Sequence, residues 1–210
     1  PRGGRRLVRG RVRMTIRAGE EWGHRVERPA DLQVFASDAD LAAAVVADPA
    51  GNYAVSGGDL HRSLGSPALG ERAELQRVTI DLLRIDADGR RLAAVAHLVM
   101  RRSLWRGRTV AAMNVDHLGA WCVAPRAHPN DGRLDIVDAG ADLSWRDRLK
   151  ARSRLPQGTH VPHPAIDVSS RTSMSWAFDE PVGLWLDAVR QGSERRVAVR
   201  VEPDAFALHI

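Results

Sequence analysis

Serine, aspartate and histidine occur together in Ser56-Gly57-Gly58-Asp59-Leu60-His61-Arg62-Ser63, with Ser66 just beyond. These are the residue types of nucleophilic hydrolysis. That chemistry needs its serine on a sharp strand-to-helix elbow, marked by G-x-S-x-G, and the signature is absent. The stretch therefore reads as a polar loop after a strand. His160 and His163 stand three apart, and His117 and His128 lie upstream. Neither H-E-x-x-H nor C-x-x-C accompanies them, so packed histidines are expected rather than metal ligands. The segment Met100-Arg101-Arg102-Ser103-Leu104-Trp105-Arg106 mixes cations with apolar residues. An anionic membrane surface attracts such arginines and seats tryptophan at its interface. A hairpin capped by a packed tryptophan is the competing reading.

Two kinds of element must position these groups. Leu7 to Ile16 alternates as a strand among arginines, and Gly19 to Glu27 reads as a turn and return strand. A short apolar run, Leu32 to Phe35, precedes a helix opened by Asp38 and Asp40, acids that suit the positive end of a helix dipole. Pro49 and Gly51 stop that helix, and Tyr53 to Val55 forms the next strand. This first third reads β-α-β. After Pro67 short strands recur: Val78–Leu83, Leu92–Met100, Thr109–Val115, Trp121–Ala124 and Leu134–Val137, separated by turns such as Asp88-Gly89 and Asn130-Asp131-Gly132. One helix interrupts near Leu143–Arg154, with Trp145, Leu149 and Arg152 at helical spacing. Strands then resume at Ile166–Ser169, Ser173–Phe178, Val182–Leu186, Arg195–Val201 and Phe206–Ile210. Trp121, Trp176 and Trp185 fall in strands and are expected in the core. The fold class is α/β plus β: a short β-α-β remnant packed on an antiparallel β-sandwich with one helix. The boundary falls near residue 70, giving units 1–70 and 71–210, with the first too small to fold without sharing the second's core.

Composition narrows the function classes. No run of about 18 apolar residues exists, so no helical membrane span is expected. The basic start is a poor secretory signal. One cysteine, Cys122, excludes an intrachain disulfide and fits a reducing compartment, so a cytoplasmic protein with peripheral membrane contact is expected. The net charge is +5, and Lys150 is the single lysine. Much of the excess sits in Arg2, Arg5, Arg6, Arg9, Arg11 and Arg13, a solvated end by the usual reading of charge runs. Aromatics make up only 5% and do not interleave with the cations, which disfavours a nucleic-acid partner.

The stretch Ala124-Pro125-Arg126-Ala127-His128-Pro129-Asn130-Asp131-Gly132-Arg133-Leu134-Asp135 resembles the hallmark A-P-x-A-x-P-x-D-G-x-L-D of the diacylglycerol/sphingosine-type lipid kinase family. Gly158-Thr159-His160-Val161-Pro162-His163-Pro164 resembles that family's G-x-H-x-x-H-P segment. The resemblance covers residues 75–210 and implies the family's β-sandwich domain. It also implies a structural magnesium at Asp131 and Asp135. Magnesium favours one or two carboxylates with carbonyls and water.

Upstream the pattern decays. Asp59-Leu60-His61-Arg62-Ser63-Leu64-Gly65 resembles the end of the family's G-T-G-N-D-F-A-R-x-L-G loop, with Val55-Ser56-Gly57-Gly58 in place of G-T-G-N. Ala36-Ser37-Asp38-Ala39-Asp40-Leu41 falls where G-G-D-G-T-L belongs. The resemblance implies nucleotide contact at Asp38, Ser56, Gly57, Gly58 and Asp59. Yet the glycines that let a backbone approach phosphate are largely replaced. Only 35 residues precede Ala36, so a truncated nucleotide-binding lobe is expected. Leu186-Asp187-Ala188-Val189 matches the family's V-D-G-E motif, with valine where the glutamate base should stand. Glu180 or Glu194 is the alternative base.

Three readings follow. The first is a degenerate, non-catalytic relative that binds a ligand or partner in the cleft between its lobes. The second is a divergent ATP-dependent lipid kinase using magnesium. The third is a peripheral binder of anionic membrane through Arg101, Arg102, Trp105 and Arg106, or of nucleic acid. Homodimerisation through sheet edges is also expected.

Overall fold

The computed structural model describes residues 22–103 and 107–210. The basic start, Trp105 and Arg106 lie outside the described residues.

Thirteen strands and three α-helices are found among the described residues, in the order β1 (His24–Glu27), β2 (Gln33–Phe35), α1 (Asp38–Ala47), β3 (Tyr53–Val55), α2 (Gly58–Ser63), β4 (Glu74–Ala87), β5 (Arg90–Ala94), β6 (His97–Arg101), β7 (Thr109–Met113), β8 (His117–Leu118), β9 (Trp121–Cys122), β10 (Leu134–Ala139), α3 (Trp145–Arg154), β11 (Ile166–Arg171), β12 (Ser173–Leu186) and β13 (Val189–His209). Eleven strands join one mostly antiparallel sheet, running β1-β4-β13-β12-β6-β7-β10-β11. The parallel pair β2–β3 attaches to the far end of β13, and β5 attaches to β4.

A long ribbon, β4 against β13, runs through the molecule from Arg77↔His209 to Ala87↔Val197. A register break between Glu202 and Phe206 bends it, as a β-bulge does. At one end the ribbon carries β1, β2 and β3, with helices α1 and α2. There Leu41, Val45, Tyr53 and Leu60 pack against Val78, Ile80, Leu82, Phe206 and Leu208. The β-α-β segment and the later strands thus share one core. At the other end Leu83, Leu98, Met100, Val110, Leu184 and Val199 are buried together. The residues buried there come from strands β4, β5, β6, β7, β10, β12 and β13, with none from a helix. A third cluster, including Met113, Val123, Val137, Leu143 and Ile166, fills the space near α3 and β11. Each such aliphatic side chain contributes about 1.5–3 kcal/mol on burial.

Helix α1 starts as its sequence requires. Ser37 caps it by accepting from the Asp40 N–H, and Asp38 and Asp40 occupy the first turn. Several expectations need correction. The stretch read as a polar loop after β3 contains a helix, α2, because the Asp38 carboxylate accepts from its first N–H groups. Leu92–Met100 is two strands rather than one, broken at Val95-Ala96 where both N–H groups turn to Asp187. On α3 the apolar spacing misleads: Trp145 and Leu149 face solvent, while Arg148 is buried and donates to the carbonyls of Leu143, Gly107 and Gly140. The paired strands read at 173–186 and 195–210 are two long strands, each with a register shift inside.

Candidate functional site

Three aspartates converge on one histidine at the start of β6. His97 begins β6 and is buried. Its Nε2 lies 2.9 Å from Asp59 Oδ2, and Asp59 Oδ1 accepts from the Gly119 N–H at 2.8 Å. Asp187 sits in the two-residue turn between β12 and β13, and its carboxylate accepts from the N–H groups of Val95, Ala96 and His97 at 2.9–3.0 Å. Both turn residues, Asp187 and Ala188, have positive φ, a conformation that asks for glycine and takes alanine only under strain.

The electrostatics follow from burial. Burial pushes the Asp38 carboxyl up to about 7, helped by the charge of Asp187 and opposed by the N–H donors of Asp59 and Leu60. Asp187 is likewise raised, by burial first, against the pull of His97 and three backbone donors. For His97 burial opposes the charge, but the Asp59 hydrogen bond and the charges of Asp187, Asp59 and Asp38 outweigh it and raise its pKa. The Asp38 carboxyl therefore exchanges its proton near neutral pH.

The residues expected to meet nucleotide do come together. Asp38 Oδ2 accepts from the Asp59 N–H at 2.6 Å, and both its oxygens approach the Leu60 N–H. Gly57 and Gly58 are packed against the segment of Ala36 and Asp38. A methyl at Gly57 would meet the Ala36 carbonyl at 2.5 Å, and one at Gly58 the Asp38 Oδ1 at 2.3 Å. Ser56 is exposed and leans on the Phe35 carbonyl.

An apolar cavity of about 420 Å³ opens beside the cluster. His97, Val99 and Arg101, alternate residues of β6, line one wall, with Ala111, Val137 and Trp185 among the others. Arg101 lies 4.6 Å over the Trp185 ring. Arg152 stacks similarly on Trp121 at 5.3 Å. Trp121 and Trp185, expected in the core, are half-buried and line this cavity; Trp176 is buried as expected.

The hallmark loop belongs to a second network. Gly132 has φ +70, and Asp131 Oδ1 accepts from the Arg133 N–H, a side-chain-closed turn. Asp81 of β4 ties this loop to the bulge of β13: Oδ2 accepts from the Gly132 N–H and Oδ1 from the Asp204 N–H. Asp204 in turn accepts from Thr79 and the buried Asn130. Burial pushes Asp81 up to about 7 and also raises Asp131, which the charge of Asp135 raises further. Asp135 is buried on β10. Asn114 links the networks, donating to the carbonyls of both Asp81 and Val95.

No protein-family model matches the sequence, and no curated protein matches it. Solved structures do. Two of a protein assigned as a diacylglycerol kinase from Bacillus anthracis strain Sterne superpose with TM-score 0.64 at 13% identity, covering 85% of this chain and 77% of theirs. A third, of a diacylglycerol kinase from that strain, gives TM-score 0.59 at 13% identity and covers 75% of its own length. The chain has a diacylglycerol kinase-like fold. At this identity the likeness speaks for the fold alone.

Within that fold the alternative bases lie elsewhere. Glu194 pairs with Arg90, and Glu180 pairs with Arg102 at 2.6 Å on the exposed surface. His160 is buried along the cavity wall, and His163 accepts from the Ala165 N–H. No helix among the described residues is long and apolar enough to cross a membrane. His97, Asn114, Asp81 and Asp204 are the residues that sequence reasoning missed. The available signal at His97 was a single histidine inside Leu92-Ala93-Ala94-Val95-Ala96-His97-Leu98-Val99-Met100, a buried-strand pattern that places it deep.

Proposed function

We propose that this chain is a non-phosphorylating relative of lipid kinases that binds an amphiphilic lipid in the apolar cavity, with the lipid's hydroxyl at the His97 end. One observation carries the reading. The N–H groups of Asp59 and Leu60, the donors that a nucleotide phosphate would need, are already taken by the Asp38 carboxylate. A second anion beside it meets repulsion rather than attraction. Gly57 and Gly58 pack on the Ala36 and Asp38 side, which brings that carboxylate against the start of α2. These residues do not fit ATP. Val189, where the family base would stand, carries no acid–base group.

The cavity supports the lipid. Its apolar walls suit a hydrocarbon chain. Its polar end is His97, a hydrogen-bonding side chain that Asp59 holds in place. Arg101 with Trp185 lines the cavity further along β6, next to the exposed Arg102, on the side where an anionic membrane would be met. Asp131 and Asp135 fit a magnesium by donor chemistry, as two neighbouring carboxylates whose charges a cation relieves. Held there, the ion would stiffen the hallmark loop.

Tryptophan fluorescence titration with a long-chain diacylglycerol in anionic vesicles tests the reading, alongside calorimetry with ATP and magnesium. Saturable lipid binding at micromolar concentration, with no heat at millimolar ATP, is the expected result. Magnesium-dependent ATP binding in the micromolar range would overturn the non-phosphorylating half. Lipid-independent fluorescence would overturn the other.

The Asp59–His97 pair favours a second reading, a divergent ATP-dependent lipid kinase. A histidine oriented and charged by a carboxylate at 2.9 Å has the geometry of a general acid–base pair. Phosphorylation of a lipid hydroxyl that Asp59→Ala abolishes would establish it.

A further inference from the structure

The β8–β9 hairpin brings together three groups that neither the cleft nor the hallmark network uses. His117 and Cys122 face each other across its register, and Asp116 precedes it. Their ligand atoms all lie within 4.8 Å of one another, the one group of this kind among the described residues. The backbone holds Asp116 in place, its carbonyl accepting from the N–H groups of Val123 and Ala124 at 2.9 and 3.1 Å. The Ser63 hydroxyl, at the end of α2, donates to its Oδ1.

The contact between Asp116 and His117 is informative. Oδ1 and Nδ1 stand 2.8 Å apart, a close carboxylate–imidazole pair, with Nδ1 shut off from solvent. An oxygen and a nitrogen this close, with the thiol sulfur nearby, are arranged as ligands of a shared cation would be. Bonds of about 2.0 Å at the tetrahedral angle place carboxylate oxygen and imidazole nitrogen about 3.3 Å apart, so about half an ångström of opening admits the ion. Gly158 leaves room for the thiol: a methyl there would meet Cys122 Sγ at 3.2 Å.

We propose that Asp116, His117 and Cys122 form a site for a borderline divalent cation of the zinc class, with water as fourth ligand. A thiolate with an imidazole selects such ions over magnesium or calcium. On binding, the sulfur–metal bond forms as the thiol proton leaves to solvent. Nδ1 gives its lone pair with the ring proton on Nε2, and Asp116 binds as the carboxylate. The two anionic ligands neutralise the dication. Without the ion, burial and the Asp116 charge both disfavour the thiolate; a cation reverses the electrostatic part. The bound ion would clamp the hairpin to α2, and the same hairpin carries the Gly119 N–H that holds Asp59.

The test uses the full chain with Co²⁺ as a spectroscopic probe, displaced by Zn²⁺. The expected result is a thiolate-to-cobalt charge-transfer band with the strong visible bands of a four-coordinate ion, both erased by zinc. Cys122→Ser should abolish the charge-transfer band. His117→Ala should weaken binding by at least about 100-fold, since losing even an outer-shell partner costs about 10–100-fold. His163→Ala, outside the site, should change neither. Should a variant fail to fold, alkylation of the unmodified protein decides: Cys122, its single cysteine, should react at least about tenfold more slowly with zinc than without. Absence of the band in the unmodified protein, a band that survives Cys122→Ser, or alkylation indifferent to zinc would each overturn the proposal.

Discussion

The two acid networks on either side of Asn114 use the same device with opposite results. Around the hallmark loop, Asp81 spends both oxygens on backbone donors, from Gly132 and Asp204, and the network closes on itself. Around His97, Asp38 and Asp187 are spent in the same way, but Asp59 divides its oxygens between the Gly119 N–H and a side chain. Its carboxylate meets His97, and that histidine lines the apolar cavity. The strongest sequence motif therefore marks a loop whose inner contacts are structural. The groups able to meet a ligand sit among residues with no motif of their own. A buried carboxylate that caps only peptide N–H groups is a staple; one that holds a cavity-lining histidine belongs to a candidate site.

Removing a staple should break the comparison most visibly. Asp187→Ala orphans three buried N–H groups and should cost about 3–5 kcal/mol in a urea unfolding midpoint, taking roughly 1–3 kcal/mol for each lost partner with partial relaxation. Asp81→Ala orphans two and should cost about 2–4 kcal/mol by the same reasoning. An equal or larger loss at Asp81 would mean that the hallmark network is the stronger staple.

The networks should also share a pH signature. Asp38 and Asp81 are both raised to about 7, so the folded state holds protons that the unfolded chain releases near pH 4. Folding stability should therefore fall as pH rises from about 4 to about 7, by roughly 2 kcal/mol or more in total. The raised His97 has the same sign: its contribution is complete below about 6.5 and is lost as pH rises through its folded value. Urea unfolding at several pH values measures this, and Asp81→Asn should flatten the slope. A stability that rises across this window would contradict both networks.

Smaller effects sharpen the difference between staple and site. Ala111→Phe, which fills the cavity, should weaken lipid binding at least about tenfold, a loss of about 1.4 kcal/mol. Thermal unfolding should show that the variant still folds. Arg102→Ala removes an exposed pair with Glu180 and should change stability by less than about 1 kcal/mol while weakening attachment to anionic vesicles.

Much of the fold was legible because it is local. Helix α1 announces itself through Ser37, Asp38 and Asp40, and β3, β7 and β10 through short apolar runs. The errors are also physical. At α3, Trp145 and Leu149 carry the apolar signal, yet Arg148 faces inward because three carbonyls await its guanidinium. At α2 no local signal exists: its first N–H groups are satisfied by Asp38, more than a helix's length away in sequence.

By itself the sequence determined most element types, helix α1 and the hallmark turn at Asp131-Gly132, since each depends on neighbouring residues and backbone conformation. Only the tertiary structure decided that Asp59 meets His97, that Asp38 fills the anion position of α2, and that an apolar cavity lies beside both. These depend on the β4–β13 ribbon, whose pairs join residues more than a hundred positions apart. Long-range strand register carries no signature in the local residues that it brings together.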